Sequence, residues 1–179
     1  MECQIPWFKN GLIRWAIDHY HVNMSEAKRE GAEEYRHFND FFTRSLKEGA
    51  RPLPEDPEMI VSPADGVISQ IGDIKNGRIF QAKGHDYSLV ELLGGDLELG
   101  QEFMGGKFAT IYLSPKDYHG EASQSVELSR GDELGRFKLG STAIVLFGKD
   151  QIEWLENWQP GLSIKMGEAL ARVDAPDIK

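Results

Sequence analysis

Apolar side chains near the start of the chain recur at the spacing of a helix. The positions are Ile5, Phe8, Leu12 and Trp15. This pattern predicts a helix over residues 5–20. The same stretch contains two Trp, one Tyr, Lys9 and Arg14, a composition typical of a membrane interface. Packing of the helix on its own domain would explain the apolar surface equally well.

Two further helices are predicted in the N-terminal part of the chain. One starts at Asn23, where Glu26 completes a capping pattern. The other spans about Glu33–Lys47 and carries an apolar face. That face consists of Phe38, Phe41, Phe42 and the Ser45-Leu46 pair. A stripe of Phe is usual in a protein core, so we expect this face to be buried.

The pattern then changes to short β-strands. The segment Gly49–Pro57 contains three prolines and predicts an extended linker. From Met59 onward, short apolar or alternating runs separated by glycine predict strands. The predicted strands are Ile60-Val61, Gly66–Ile71, Arg78–Ala82, Lys107–Leu113, Leu134–Phe137 and Ala143–Phe147.

Turn signals connect these strands. Asn76-Gly77 predicts a tight hairpin, and Ser88–Leu93 predicts one or two helical turns. In the tail, turns at Gly161 and Gly167 flank a predicted strand pair between Trp154 and Val173. The sequence therefore predicts an α+β fold, with N-terminal amphipathic helices followed by a mainly antiparallel β-rich domain.

Charge is distributed unevenly along the chain. The 179 residues, enough for one domain with a small helical appendage, carry a net charge of −9, which argues against nucleic-acid binding. Residues 1–53 hold eight Lys/Arg and eight Asp/Glu, so the remaining residues carry the whole excess. Anionic lipid would repel that acidic body but not the neutral N-terminal part. Any membrane contact is therefore expected there.

Targeting and redox signals are few. No window reaches the roughly 18 consecutive apolar residues of a membrane-spanning helix. No secretory signal is expected, because Glu2, Lys9 and Arg14 interrupt the start. The single cysteine, Cys3, cannot form an intrachain disulfide, which fits a reducing compartment.

The dipeptide Gly140-Ser141 carries the most distinctive chemistry. Glycine has no Cβ, so the carbonyl before Ser141 is unshielded and open to attack by the serine hydroxyl. An N→O acyl shift followed by elimination would cut the chain and leave a pyruvoyl group on residue 141. A simple turn is the alternative explanation of a Gly-Ser pair.

Four ordered segments carry a family resemblance. They are Phe38–Arg44 with Arg51-Pro52, Ser62–Gly66 followed by Gln81–His85, Tyr112–His119, and Gly131–Thr142. Together these motifs resemble the phosphatidylserine decarboxylase family, and the likeness extends from about Trp7 to Val173. The resemblance implies an enzyme that cuts itself at Gly140-Ser141 and uses the resulting pyruvoyl group as its covalent cofactor.

The resemblance also implies a role for each site residue. Ser141 is the nucleophile of self-cleavage and becomes the pyruvoyl group that forms a Schiff base with the amine of phosphatidylserine. Asp65 belongs to a charge relay of the Ser-His-Asp type. His119 is the proton donor in the decarboxylation that yields phosphatidylethanolamine and CO2. No metal is implied. His85 is expected to have a structural or pocket role.

The chain departs from the family pattern between His119 and Ser141. A second histidine, the relay base, is expected three residues after His119, where this chain has Ala122. A long internal stretch is also missing there. These two departures predict slow or absent self-processing unless His119 substitutes as the base, and they leave a non-catalytic, membrane-binding remnant as an alternative. A lipoyl- or biotinyl-like carrier domain, with Lys165 as the modified residue, is a more remote one.

The resemblance extends to the organisation of the protein. Residues 1–53 are expected to form a membrane-associating helical region and residues 54–179 the decarboxylase domain. Processing would give a large chain, 1–140, and a small chain, 141–179, from one precursor, and a homo-oligomer is compatible with this arrangement. The expected location is peripheral, on the cytoplasmic face of a bacterial-type cell membrane.

Overall fold

A computed structural model of the protein describes residues 3–80, 86–114 and 141–174. The α-helices are α1 (Pro6–Tyr20), α2 (Phe38–Phe42), α3 (Leu89–Leu92) and α4 (Leu97–Glu102), and short 3-10 helices span Met24–Glu26 and Ala32–Glu34. The strands are β1 (Met59–Val61), β2 (Gly66–Asp73), β3 (Arg78–Phe80), β4 (Asp86–Ser88), β5 (Lys107–Leu113), β6 (Ser141–Phe147), β7 (Ile152–Trp154), β8 (Ser163–Ile164) and β9 (Ala169–Val173). The predicted α+β class is confirmed.

Helix α1 packs one face on the rest of the N-terminal region. Ile13 and Ala16 are buried in a cluster with Tyr35 and Phe41. The buried ammonium group of Lys9 donates to the carbonyl oxygen of Tyr35 and, at 3.4 Å, to two neighbouring carbonyls. These hydrogen bonds compensate for the water that the charged group loses on burial. The predicted helix over 5–20 is confirmed, since α1 spans Pro6–Tyr20. The face that packs is not the apolar face predicted from the sequence, because Ile5, Phe8 and Trp15 are 52%, 47% and 50% exposed.

The predicted long helix over Glu33–Lys47 is wrong. Only Ala32–Glu34 and Phe38–Phe42 are helical, and Tyr35 and His37 between them have extended backbones. The chain after Phe42 cannot continue as a helix because Leu46 forms an antiparallel bridge with Ala27. The Phe stripe is nevertheless part of the core, as predicted, since Phe41 and Phe42 are buried.

The helix predicted to start at Asn23 is confirmed only in part. The Asn23 side chain accepts a hydrogen bond from the Ser25 amide and begins the 3-10 helix Met24–Glu26. Glu26 does not complete a capping pattern, because its carboxylate binds Arg51 and Lys165 instead.

The strands form three antiparallel sheets. The order is β6-β5-β2-β8 in a four-stranded sheet, β1-β9-β7 in a second sheet and β3-β4 in a hairpin. Leu170 of β9 and Ile111 of β5 belong to one buried cluster with Ile68 and Leu113, so the two larger sheets share a core. On the other face of β5, Phe108 packs with residues of the β3-β4 hairpin and α3.

The predicted turns are confirmed, but the strands beside them pair differently from the prediction. Asn76 and Gly77 both have positive φ, as a two-residue hairpin turn requires, and Lys75 bridges Arg78 across it. Strand β3 then pairs with β4 rather than with β2. Gly161 and Gly167 also have positive φ, yet β8 and β9 lie in different sheets. The predicted strand Leu134–Phe137 lies outside the described residues.

None of the helices described is both long and apolar enough to cross a bilayer.

A candidate active site at one end of the central sheet

Ser141 is the first residue of β6. It pairs with Leu113, the last residue of β5, and it is half-buried. Because side chains alternate along a strand, Ser141 lies on the same face as Ala143 and Val145, which pack against the shared core. The preceding residue, Gly140, lies outside the described residues. The nucleophile predicted from the sequence is therefore fixed by a strand rather than carried on a loop.

Asp65 lies at the same end of the sheet. Val67 of β2 pairs with Tyr112 of β5, and Tyr112 pairs with Thr142 of β6, so these three residues form one row. Asp65 precedes Val67 by two residues, and Ser141 precedes Thr142 by one. Neighbouring strands are about 4.8 Å apart, which places the backbones of Asp65 and Ser141 on the order of 10 Å apart across β5. Hydrogen-bonded side-chain atoms are about 3 Å apart, and a backbone separation of this size leaves room for a third group between the two side chains.

Strand β5 leads into the segment that could supply that third group. It ends at Leu113, between Asp65 and Ser141, and the chain continues through Ser114 towards His119. His119 lies outside the described residues, as do His85 and Ala122. The described part of this connection therefore ends beside Ser141, five residues before His119 in the sequence.

The turn before β2 is held by hydrogen bonds on both sides. The Ser62 hydroxyl donates to the Ala64 carbonyl at 2.8 Å, and the Ser62 carbonyl accepts from the Gly167 amide at 2.9 Å. Gly167 has φ of 83°, a conformation that favours glycine. The turn at Gly167 brings the Met166 amide to 2.8 Å from Oδ1 of Asp65.

Arg51 is the main partner of Asp65. Its Nε donates to Oδ1 at 2.8 Å, and its Nη2 donates to Oδ2, which makes a two-point contact between guanidinium and carboxylate. Both side chains are almost buried, with 9% of Arg51 and 11% of Asp65 exposed. Removing one partner of such a buried pair costs about 3–5 kcal/mol, because the other charge is left unpaired. Sequence reasoning noted Arg51-Pro52 as part of a motif but missed this contact.

Glu26 and Lys165 extend the ion pair into a network. Arg51 Nη1 donates to Oε2 of Glu26 at 2.8 Å, and Lys165 Nζ donates to Oε1 at 2.9 Å. Burial raises the pKa of Glu26, but the hydrogen bonds and charges of Lys165 and Arg51 outweigh it, so that pKa lies below its ordinary value. Burial lowers the pKa of Arg51, but the hydrogen bonds and charges of Asp65 and Glu26 raise it by more. The pKa of Arg51 therefore lies above its ordinary value, and the guanidinium stays charged.

Glu26 should make the stability of the fold sensitive to acid. Its pKa is depressed in the folded state, so the ionised group stabilises the fold above its ordinary value of 4.5, and this contribution is lost as the pH falls through the lower folded-state pKa. We expect Glu26→Gln to reduce the free energy of unfolding by about 1–2 kcal/mol at neutral pH, and by less in acid. Urea unfolding of the variant and the wild type across this pH range measures the difference.

The control for this experiment is Glu48→Gln, which changes an exposed glutamate. It should unfold like the wild type at every pH. A gap between Glu26→Gln and the wild type that stayed constant down to the acid limit would show that the charge of Glu26 is not what stabilises the fold.

No described group of three or more His, Cys, Asp or Glu side chains is arranged to hold a metal ion. Among the described residues, this end of the sheet holds a serine hydroxyl, a carboxylate and the arginine that binds it.

Comparison with known proteins gives the family. The family model described as Phosphatidylserine decarboxylase matches residues 38–120 and 121–172. A protein of Pseudomonas entomophila (strain L48) is 41% identical over 256 residues, covering 95% of this chain and 89% of the relative. One of Pseudomonas fluorescens strain Pf-5 is 39% identical over 255 residues, with 94% and 88% covered. One of Ectopseudomonas mendocina strain ymp is 40% identical over 255 residues, with 94% and 89% covered.

Each of these relatives is named phosphatidylserine decarboxylase proenzyme. The matches, together with the fold and the serine at the sheet end, define a protein of the decarboxylase proenzyme class. The chain belongs to the phosphatidylserine decarboxylase family. The resemblance found in the sequence motifs is thereby confirmed. The comparisons bear out neither the non-catalytic remnant nor the doubt about self-processing, and nothing in them supports a carrier domain.

Proposed function

We propose that this chain is a phosphatidylserine decarboxylase that makes its own cofactor at Ser141. The observation that carries the proposal is the common location of Ser141 and Asp65 at one end of the four-stranded sheet, in a chain whose relatives cited above are named proenzymes. The substrate is phosphatidylserine, and the products are phosphatidylethanolamine and CO2.

Self-cleavage begins at the Ser141 hydroxyl. A base removes its proton, Oγ attacks the Gly140 carbonyl carbon, and the C–N bond breaks to leave an ester and a free amino group on residue 141. Elimination then releases the Gly140 carboxylate. Loss of the nitrogen as ammonia, with uptake of water, leaves a ketone in place of the serine. The rigid position of Ser141 in β6 supports this step, since attack requires a fixed near-contact geometry.

His119 is the group that we propose as the bridge between Asp65 and Ser141. The backbone separation of roughly 10 Å leaves room for one imidazole with a hydrogen bond on either side, and β5 ends between the two residues, six positions before His119. In this arrangement Asp65 orients the imidazole and the imidazole takes the Ser141 proton. His119 later returns a proton to the decarboxylated substrate. The absence of histidine at Ala122 makes His119 the one candidate in this segment.

The pyruvoyl group derived from Ser141 supplies a ketone that accepts the electrons released when a carboxylate is lost. The residues around it would serve to bind and orient the substrate. Ala143 and Val145, on the same face of β6, pack against the shared core and so hold the strand that carries Ser141.

The outer face of α1 supports contact with a membrane surface. Trp7, Phe8 and Trp15 are 77%, 47% and 50% exposed, although the opposite face of the same helix is buried. Large aromatic side chains exposed together on one helix are typical of the bilayer interface. A peripheral position on the cytoplasmic face would bring the enzyme to its lipid substrate. The neutral charge of residues 1–53, against −9 for the remainder, favours this region as the contact.

The organisation of the precursor follows from the same proposal. Residues 1–53 form the membrane-associating region and 54–179 the decarboxylase domain, with 1–140 and 141–179 as the processed chains and a homo-oligomer as a compatible assembly.

The chain is also shortened internally. The alignments run over 255 positions, more than the 179 residues of this chain, and the family match is divided between residues 120 and 121. Both facts support a missing stretch between His119 and Ser141.

Mass spectrometry of the purified protein tests the proposed function. We expect two fragments, 1–140 and 141–179, with the smaller one carrying a pyruvoyl group and no free amino terminus. We also expect phosphatidylethanolamine to form from phosphatidylserine vesicles. An intact chain that forms no phosphatidylethanolamine would contradict the proposal and favour the non-catalytic alternative.

A further inference from the structure

The carboxylate of Asp65 has a defined set of partners among the described residues. Oδ1 accepts from Arg51 Nε and from the Met166 amide, each at 2.8 Å. Oδ2 accepts from Arg51 Nη2. Each carboxylate oxygen has about two acceptor sites, so Oδ1 is saturated and Oδ2 keeps one. The Arg51 contact therefore determines which oxygen of Asp65 can accept a further hydrogen bond.

Arg51 is itself fixed. One N–H of Nη1 donates to Glu26 and another to the Ala50 carbonyl, both at 2.8 Å. With the two contacts to Asp65, four of its five N–H donors are used. The guanidinium is planar and its side chain is 9% exposed, so it cannot turn without breaking several of these bonds. The position of the Asp65 carboxylate is consequently set by residues from the linker and the Glu26 turn.

We infer that Arg51 is the positioning residue of the charge relay. It holds the Asp65 carboxylate so that the remaining acceptor site of Oδ2 is available to the imidazole, and Glu26 holds Arg51. This inference rests on the proposed function, since it assigns a role within self-cleavage. It gives the helical region a part in the chemistry, because Glu26 lies before the linker and Asp65 after it.

Two variants separate the charge of Arg51 from its shape. Arg51→Met removes the charge and all donors but keeps the apolar stem. Arg51→Lys keeps the charge but cannot make a two-point contact. We expect self-cleavage to slow by about 100-fold in Arg51→Met and by about 10-fold in Arg51→Lys, since a misplacement of 1 Å can cost about 100-fold in rate. The time course of fragment formation on denaturing gels measures the rates.

Arg29→Met is the matched control. Arg29 also makes a two-point contact with an aspartate, Asp40, with distances of 2.9 and 2.7 Å, and it lies in the helical region. Its loss should lower the thermal stability but leave the rate of self-cleavage unchanged. Equal slowing in Arg29→Met and Arg51→Met would reduce the role of Arg51 to general stability and would overturn the inference.

A second readout does not depend on cleavage. In an uncleavable Ser141→Ala background, the Met166 amide reports on Asp65 through its hydrogen bond to Oδ1. We expect hydrogen exchange at this amide to speed up by about 10-fold or more when Arg51→Met is added, and to stay unchanged when Arg29→Met is added. An unchanged Met166 amide in Arg51→Met would overturn the inference whatever the cleavage rates are.

The two proposals can therefore fail separately. If the wild-type chain is never cut, the proposed function is wrong, and so is the part of the inference that assigns Arg51 to self-cleavage; the Met166 amide still decides whether Arg51 positions Asp65. If the wild type is cut, the Met166 amide responds and Arg51→Met is cut at the wild-type rate, the proposed function stands and the role of Arg51 is refuted.

Discussion

Ser141→Ala is expected to leave the protein as one uncut chain of 20.2 kDa with no decarboxylase activity. Alanine has no hydroxyl to attack the Gly140 carbonyl, and no elimination can convert it to a pyruvoyl group. The loss should be complete, because the same oxygen is needed for the cut and for the formation of the cofactor. Intact-protein mass spectrometry and the release of CO2 from carboxyl-labelled phosphatidylserine measure the two effects.

The matched control for that variant is Ser163→Ala. Ser163 is an exposed residue of β8 in the same four-stranded sheet, paired with Val67. Its loss should change neither the position of the cut nor the activity, and the fragment 141–179 should become lighter only by the oxygen atom that the substitution removes. Fragments split at residue 141 in Ser141→Ala would show that another nucleophile cuts the chain, and the assignment of Ser141 would then be wrong.

The strands around Ser141 could be predicted because their signals are local. Lys107–Leu113 is a continuous run of strand-forming residues, and the structure has β5 over the same residues. The predicted strand Ala143–Phe147 is also present, although it starts two residues earlier, at Ser141. Ser141 and Thr142 lack an apolar pattern of their own, and it is their pairing with Leu113 and Tyr112 that extends the strand.

Non-local contacts explain what the sequence did not predict. The helix over Glu33–Lys47 fails because the Lys28 amide donates to the Ser45 carbonyl and the Lys47 amide donates to the Glu26 carbonyl. These bonds require an extended backbone at a position where helical periodicity continues. Strand β4 and helix α4 were not predicted because each is short. Local propensity is a weak signal whenever a distant segment offers better hydrogen bonds.

In the candidate site, too, local motifs could be predicted from the sequence and long-range contacts could not. Ser141 and Asp65 could be identified from the sequence, because each lies in a short motif with its own chemistry. Arg51 could not be assigned a role, since its partners Asp65 and Glu26 are 14 and 25 residues away. Lys165 binds Glu26 from 139 residues away, and its sequence context suggests only a carrier lysine. No periodicity encodes contacts of this kind, and only the folded chain brings them together.

The geometry of the site depends on how closely β2 approaches β5. A Cβ added at Gly66 would lie 2.6 Å from the Tyr112 carbonyl oxygen and 2.7 Å from Cγ2 of Ile111. The first of these atoms belongs to the backbone of β5, so it cannot turn aside as a side chain could. Any larger residue at position 66 must therefore push the start of β2, and Asp65 with it, away from β5.

Gly66→Ala is accordingly expected to destabilise the protein by about 1–3 kcal/mol, the usual cost of overpacking. It should also slow self-cleavage by about 100-fold, because Asp65 moves relative to Ser141 by a distance on the scale of 1 Å. Gly72→Ala is the control within the same strand, since an added Cβ there meets nothing within 4 Å. That variant should stay within about 0.5 kcal/mol of the wild type and be cut at the same rate. Urea unfolding and the cleavage time course of both variants distinguish the two positions. Equal behaviour of Gly66→Ala and Gly72→Ala would mean that the spacing of β2 and β5 does not control the chemistry at Ser141.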